Sequence, residues 1–232
     1  MSKDNKTLDQ LISNLDDDFV WRIKELSIIK GKVPNSRVNI SRNDEQDALI
    51  RAGITLLYAH WEGFVKFAAD NYLNFVSLRK LKHSELQACF LALCLKKKIN
   101  ELESNKFELQ KAAVIFLLDE LENRASIPCE GIIQTKSNLR FHVFRDICIL
   151  IGIDFKKYDL KQKAIDTLLC DRRNNIAHGK YLIVDYDGYL EIYNIIIEIM
   201  RNIKEDIVEA ATMQKYKRRQ FKTEVQHLEV FS

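Results

Sequence analysis

Residues 44–79 have the sequence DEQDALIRAGITLLYAHWEGFVKFAADNYLNFVSLR. Apolar residues recur in it every three or four positions, which predicts one long helix. They form two stripes, one with Leu49, Ala52, Leu56, His60, Gly63, Phe64, Phe67 and Asn71, the other with Ile50, Ile54, Leu57, Trp61, Val65, Ala68 and Tyr72. Because a helix that is apolar on two sides needs neighbours on both, this segment is predicted to lie at the centre of a helical bundle.

The rest of the chain continues the helical pattern on both sides of this segment. Residues 181–190 fit either a small hairpin with its turn at Asp187-Gly188 or a loop. A capping box, Ser84-Glu85-Leu86-Gln87, is expected to begin one of the helices. Further helices are predicted at about 7–30, 84–98, 106–124, 137–151, 160–171 and 189–217. The predicted fold is all-α: one bundle with long central helices, a single domain over residues 1–232, and a basic tail at 214–232.

The composition of the 232-residue chain is that of a soluble globular protein, with 47% hydrophobic and 30% charged residues. Only 7 Gly and 2 Pro are present, and so few breakers favour long helices over a β fold with many turns. The formal net charge of +3 is too small to indicate nucleic-acid binding by itself. Any basic surface would therefore have to be local.

The cysteines and the first residues of the chain indicate the cellular compartment in which the protein is expected. There are five cysteines, none in a C-x-x-C pair, which favours reduced thiols over a disulfide or zinc framework. Neither the cysteines nor the histidines have the spacing of metal ligands, so no metal and no cofactor are expected. Residues 1–6 lack an apolar signal core, and no apolar run reaches the ~20 residues of a membrane helix. These features predict a soluble, cytoplasmic protein without a membrane segment.

The stretch Arg173-Asn174-Asn175-Ile176-Ala177-His178-Gly179 (the R-x4-H segment) pairs a fixed cation with a titrating base. Arginine offers a planar fork that matches phosphate oxygens. Histidine, which titrates near pH ~6.5, can accept or donate a proton at neutral pH. In RNA a histidine could deprotonate the 2′-hydroxyl beside the phosphate while arginine stabilises the phosphorane. If the segment stays helical, Arg173 and His178 are expected to share a face, with Arg172 as a second cation.

The same segment also has a purely structural interpretation. A histidine in the last turn with Gly179 after it is an ordinary helix end, and the arginines would then be solvated or in salt bridges. Spacing alone leaves both interpretations open.

His60 and Glu62 are the next candidates, although two residues on a helix lie about 200° apart and cannot face one site. His60 lies on an apolar stripe, which favours a core histidine with satisfied partners. Glu62 lies in a helix that looks buried and needs a partner there. An ion pair with an arginine of the R-x4-H segment is the hypothesis for Glu62.

The R-x4-H segment resembles the R-x(4–6)-H signature of the HEPN superfamily (higher eukaryotes and prokaryotes nucleotide-binding domains), in which a polar residue follows the arginine. Two further stretches, LYAHWEGFVK at 57–66 and TKSNLR at 135–140, are similar to the bacterial HEPN family named after MAE_28990 and MAE_18760. With Ile165-Asp166, the resemblance covers about residues 44–180, which is most of the chain.

The resemblance implies a helical bundle that dimerises so that two R-x4-H segments line one cleft. It also implies metal-independent RNA cleavage, often within toxin–antitoxin, abortive-infection or other defence systems. By position, Arg173 and His178 take the catalytic roles and Asn174 the polar position beside them, with Arg172 and Glu62 as supporting candidates. RNA, a second copy of the chain and an antitoxin or defence protein are the expected partners.

Two other classes of function stay open. A non-catalytic HEPN-like module would hold RNA, a nucleotide or a partner protein without cleaving it. A purely structural helical protein predicts that His178→Ala changes no phenotype. The intact arginine and histidine favour the enzyme.

Overall fold

A computed structural model gives the fold for residues 6–34, 44–102 and 105–218. The described residues form helices and connecting segments without a strand, so the predicted all-α class is confirmed. The α-helices are α1 Leu8–Lys32, α2 Asp44–Ser77, α3 Ala88–Leu102, α4 Phe107–Asp119, α5 Phe141–Leu150, α6 Arg172–Ala177 and α7 Tyr186–Thr212. Two 3-10 helices, His83–Glu85 and Lys156–Lys161, and a π-helix, Ala164–Asp171, complete the set.

The central position predicted for α2 is confirmed. α2 packs against α1 and α7, and buried side chains lie on both of its stripes. Phe64 meets Phe19 of α1 with ring centroids 5.5 Å apart, and Trp61 meets Phe144 of α5 at 5.1 Å. Each stripe is therefore covered by a different neighbour, and edge-to-face or tilted ring pairs contribute to both contacts.

The hairpin interpretation of residues 181–190 is wrong, because α7 already begins at Tyr186. Asp185 caps this helix: its carboxylate accepts the Gly188 backbone N–H at 2.8 Å. Asp187 and Gly188 therefore lie in the first helical turn, whereas the residues before Asp185 form a loop.

Two other predicted helix starts are also wrong. The Glu85 carboxylate accepts the Lys82 backbone N–H at 2.8 Å, so it caps a 3-10 turn, and α3 begins later, at Ala88. Lys136 and Ser137 have φ values of 53° and 61°, which an α-helix cannot contain, so α5 begins only at Phe141.

The start of α1, the cysteines and the chain ends complete the description of the fold. Thr7 and Gln10 form a reciprocal capping box at the start of α1. All five cysteines are free, two of them buried and three half-buried. Residues 1–5 and 219–232, which include most of the basic tail, lie outside the described residues. Among the described helices, none combines the length and apolar character needed to cross a membrane.

The contact between α2 and α7 yields a stability prediction at Gly53. A Cβ atom at this position would lie 2.6 Å from Tyr189 Oη and 2.8 Å from Cζ, and Tyr189 is fully buried. We expect Gly53→Ala to lower the free energy of unfolding by roughly 1–3 kcal/mol in urea denaturation, because overpacking outweighs the better helix propensity of Ala. Gly31→Ala is the control, since no atom lies within 4 Å of a Cβ there. Equal stability of the two variants would contradict this prediction.

Candidate active site

The R-x4-H segment follows a rare element, because the π-helix Ala164–Asp171 runs directly into α6. π-helical turns are uncommon and often occur at functional sites. The π-helix is tied at two points to the start of α5, at Arg140 and Phe141. Asp166 Oδ1 accepts the Phe141 backbone N–H at 2.7 Å, and Asp171 Oδ1 pairs with Arg140 Nη2 at 2.5 Å. These two contacts fix the position of the π-helix, and therefore the start of α6.

The end of α6 is a Schellman motif. The Lys180 N–H donates to the Asn175 carbonyl at 2.9 Å and the Gly179 N–H to the Ile176 carbonyl at 3.0 Å. Gly179 has a φ of +70°, which suits glycine. His178 is the last residue before this turn, and its side chain is exposed. The structural interpretation of Gly179 thus holds, and the same turn fixes the backbone that carries the His178 imidazole.

Arg173 is held in a half-buried position by two contacts. Its guanidinium carbon lies 3.6 Å from the centroid of the Tyr58 ring, and Nη2 donates to Asn138 Oδ1 at 3.2 Å. Its Nε is buried without a hydrogen-bond partner among the described residues. Nη1 makes no hydrogen bond to the described protein atoms, so one arm of the fork is available to a ligand.

Tyr58 is itself fixed beneath the guanidinium. It is 5% exposed, and its hydroxyl oxygen accepts the Leu139 backbone N–H at 2.9 Å. Burial raises the pKa of Tyr58 to about 12, although the hydrogen bond from Leu139 and the charge of Arg173 act in the other direction. Tyr58 therefore stays a neutral phenol at physiological pH and serves as a ring surface rather than a base.

Leu139 joins this cluster through both its backbone N–H and its carbonyl. Its carbonyl accepts the Trp61 Nε1–H at 3.0 Å and lies 3.5 Å from Cys170 Sγ in the π-helix. The left-handed conformations of Lys136 and Ser137 immediately precede Asn138. The stretches 57–66 and 135–140 and the π-helix thus converge behind Arg173.

The supporting candidates lie around this core. Arg172 Nη1 donates to the Gly188 carbonyl at 3.4 Å, which links α6 to the first turn of α7. Asn174 is half-buried, and its carbonyl accepts the His178 N–H at 3.0 Å. Glu62 is half-buried one helical turn from Tyr58, and its charge contributes to the raised pKa of Tyr58. The hypothetical ion pair between Glu62 and Arg172 or Arg173 is not formed in the structure.

The expectation that Arg173 and His178 share a face is wrong for the single chain. At 3.6 residues per turn, five residues correspond to a rotation of about 140° around the helix. Arg173 accordingly lies against α2, His178 is exposed, and no hydrogen bond connects them among the described residues. One chain therefore presents the two groups on adjoining sides of α6.

His60 is a core histidine, as its position on the stripe predicted. It is 3% exposed, with Nε2 at 2.6 Å from Glu25 Oε2 and Nδ1 at 3.4 Å from Arg22 Nη1. Burial lowers its pKa, although the hydrogen bond to Glu25 acts in the opposite direction. His60 thus belongs to the contact between α1 and α2.

Tyr58 and Asn138 are the residues whose roles the sequence did not predict. Their stretches, 57–66 and 135–140, were identified by resemblance, but the resemblance assigned no role to either residue. In the part of the chain that the structure describes, no three His, Cys, Asp or Glu side chains converge as metal ligands do.

A family model described as RiboL-PSP-HEPN matches residues 17–209, which is most of the chain. The resemblance to the HEPN superfamily is therefore confirmed. The narrower resemblance, to the family named after MAE_28990 and MAE_18760, is not confirmed by this match. Comparisons with curated proteins and with solved structures gave no match.

Proposed function

Because the chain belongs to the RiboL-PSP-HEPN family, we propose that it is an endoribonuclease of the HEPN type that cleaves RNA without a metal. The observation that carries the proposal is a firmly held arginine beside an exposed histidine at a fixed helix end. This combination suits transesterification, in which a phosphate must be held while a proton moves beside it.

His178 is the general base or acid of the proposed reaction. Its imidazole is exposed and makes no hydrogen bond to another described residue, so both ring nitrogens are free for substrate. It takes the proton from the 2′-hydroxyl, whose oxygen attacks phosphorus, and the bond from phosphorus to the 5′-oxygen breaks. The 5′-oxygen takes a proton from a His178 imidazolium, of this chain or of a second copy, and the products are a 2′,3′-cyclic phosphate and a 5′-hydroxyl.

Arg173 is the phosphate clamp. With Nη2 on Asn138 and the ring of Tyr58 below, the guanidinium keeps one orientation and directs the Nη1 N–H groups at a phosphate oxygen. Arg172 adds a second positive charge beside it. Asn174 supplies a polar group next to the clamp, and Glu62 acts on the electrostatics of Tyr58.

A second copy of the chain completes the proposed cleft. Since Arg173 and His178 leave α6 on adjoining sides, one chain supplies half of a two-sided site. A homodimer in which two R-x4-H segments face each other provides two arginines and two histidines for one phosphodiester. The biological setting we favour is a toxin or defence effector in the cytoplasm, controlled by a partner protein. The five free cysteines fit a reducing compartment.

One observation favours a second candidate, a non-catalytic module that binds RNA or a nucleotide. Arg173 is half-buried and already has two protein contacts, as expected of a residue that anchors α6. Single-turnover assays with labelled RNA and with DNA of the same sequence, both in EDTA, distinguish the two candidates. Cleavage of RNA alone supports the nuclease, whereas binding without cleavage supports the module.

Two substitutions at Tyr58 distinguish its role in positioning Arg173 from its contribution to the stability of the fold. Tyr58→Phe keeps the ring but leaves the buried Leu139 N–H without an acceptor, so we expect roughly 1–3 kcal/mol less stability and little change in cleavage. Tyr58→Leu removes the cation–π contact, worth up to about 2 kcal/mol, and is expected to lower the cleavage rate about tenfold. Urea denaturation and single-turnover rates measure the two effects. Wild-type cleavage by folded Tyr58→Leu would rule out the positioning role.

A further inference from the structure

Tyr181 presents an aromatic ring at the surface, three residues after His178, and the ring is 71% exposed. A single exposed apolar side chain needs no explanation by itself, so its surroundings decide its meaning. The backbone is anchored on both sides of this residue: the Lys180 N–H donates to the Asn175 carbonyl at 2.9 Å, and Leu182 packs against the core. The loop therefore holds Tyr181 at a defined place beside the end of α6.

Two side chains of α2 contact the Tyr181 side chain. The Arg51 guanidinium carbon lies 5.9 Å from the centroid of the ring, and the Tyr181 hydroxyl donates to Asp47 Oδ2 at 3.5 Å. Most of the ring stays accessible in spite of these contacts. An accessible aromatic ring beside a cation is the arrangement on which unpaired bases stack in proteins that bind single-stranded nucleic acids.

The Tyr181 ring lies along the same face of α2 as the proposed phosphate clamp. Arg51 and Tyr58 are seven residues apart, so they share a face of α2 and are separated by about 10 Å along its axis. Arg173 contacts Tyr58, whereas Tyr181 contacts Arg51, so the chain from α6 into the loop runs antiparallel to α2. His178 lies between these two contacts in the chain. Along this face the order is therefore Arg173, His178, Tyr181.

This order matches the order of the groups in one RNA nucleotide. The 2′-hydroxyl lies between the base of its own nucleotide and the 3′-phosphate, which is the phosphate that it attacks. The charges agree with this direction. Arg172 and Arg173 stand together at one end, which suits a phosphate. At the other end the cation Arg51 is accompanied by the Asp47 carboxylate, and this opposite charge makes the surroundings of Tyr181 better suited to an uncharged base than to a second phosphate.

We infer that Tyr181 stacks on the base of the nucleotide whose 2′-hydroxyl attacks, which is the nucleotide on the 5′ side of the cleaved bond. This inference rests on the proposed nuclease function, and it adds the substrate class. A base reaches the ring only when it is unpaired and turned out of its stack, so the substrate is single-stranded RNA or a loop rather than a duplex. Every base has a π face, so the ring contributes to binding with little preference among the four bases.

Single-turnover cleavage of single-stranded RNA over a range of protein concentrations tests the inference with Tyr181→Leu. Leucine keeps an apolar side chain but lacks the ring, so we expect the protein concentration that gives half of the maximal rate to rise about tenfold, with little change in the maximal rate. Tyr181→Phe keeps the ring and should behave like the wild type. Phe107→Leu on α4 is the matched control, because Phe107 is 73% exposed, and it should change neither quantity. A wild-type concentration dependence for folded Tyr181→Leu would overturn the inference.

An RNA with one abasic nucleotide locates the stacked base. On the 5′ side of the cleaved bond, the missing base should weaken binding by the wild type about tenfold and leave binding by Tyr181→Leu unchanged, because that contact is already lost. On the 3′ side, it should affect both proteins equally. Additive effects on the 5′ side, or an effect on the 3′ side that is confined to the wild type, would contradict the assigned position of the base.

Two further measurements distinguish failure of this inference from failure of the nuclease proposal. If the wild type binds RNA without cleaving it, the nuclease proposal fails, and fluorescence anisotropy of a labelled single-stranded RNA compares the same variants. Weaker binding by Tyr181→Leu than by Phe107→Leu then still supports stacking on the ring, whereas equal binding overturns it. Sedimentation velocity of the free proteins is the second measurement. A change in the number of associated chains caused by Tyr181→Leu would assign the ring to a contact between copies and overturn the inference.

Discussion

His178→Ala is expected to lower the rate of RNA cleavage by about 10²–10⁴-fold without changing the free energy of unfolding. The rate falls because no other described side chain at the end of α6 can exchange a proton near neutral pH. Stability is retained because the imidazole is exposed, and the Schellman motif that ends α6 uses only backbone groups and Gly179. Single-turnover cleavage in EDTA and urea denaturation measure the two quantities on the same preparation.

His142→Ala is the matched control for this prediction. His142 is also an exposed histidine, on α5, and the substitution removes the same atoms outside the R-x4-H segment. It should leave both cleavage and stability unchanged. Equal cleavage by His178→Ala and His142→Ala would exclude His178 as the proton-transfer group.

Arg173→Ala is expected to slow cleavage by about 3 kcal/mol of transition-state stabilisation, roughly 10²-fold. Unlike His178→Ala, it should also destabilise the protein, because the half-buried guanidinium covers the Tyr58 ring and bonds to Asn138. Arg173→Lys keeps the charge but loses the planar fork, so we expect it to recover only part of the rate. Single-turnover cleavage rates and urea denaturation distinguish the wild type, Arg173→Ala and Arg173→Lys.

Arg145→Ala is the control for the arginine series. Arg145 is exposed on α5, and its nearest carboxylate is that of the adjacent Asp146, at 3.8 Å. Its removal changes the net charge equally but should not affect cleavage. A loss of activity as large as that of Arg173→Ala would indicate that general RNA attraction, rather than a positioned clamp, controls the rate.

The position of α2 could be predicted from sequence because burial on two sides leaves a direct periodic signal. Trp61 and Phe64 fall on different stripes, and the structure covers each with a different helix. Helix ends were harder to predict, since the same residue types cap several structures. Asp187-Gly188 is typical of a hairpin turn, but Asp185, two residues before Asp187, caps a helix whose first turn contains both residues. The residue types therefore indicate that a turn or a cap is present in this region, but not at which residues it lies.

The reactive residues of the site could be predicted from the sequence, but the contacts that position them could not. Arg173 and His178 are identifiable because few residue types bind phosphate or move protons at neutral pH. The contact of Arg173 with Asn138 joins residues 35 positions apart and depends on the left-handed backbone at Lys136 and Ser137. Neither residue is a glycine, so no local sequence signal marks that turn. Tyr58 was likewise not distinguishable from the apolar residues around it.

The most direct test of the nuclease is cleavage, in EDTA, of an RNA with a single 2′-deoxy nucleotide at the mapped cleavage position. The proposed mechanism predicts that the all-ribose RNA is cut there to a 2′,3′-cyclic phosphate and a 5′-hydroxyl. It also predicts that the 2′-deoxy RNA is not cut at that bond and that His178→Ala cuts neither RNA. Cleavage of the 2′-deoxy RNA at the same bond would contradict attack by the 2′-oxygen. Binding of both RNAs without cleavage by folded wild-type protein would contradict the enzyme itself.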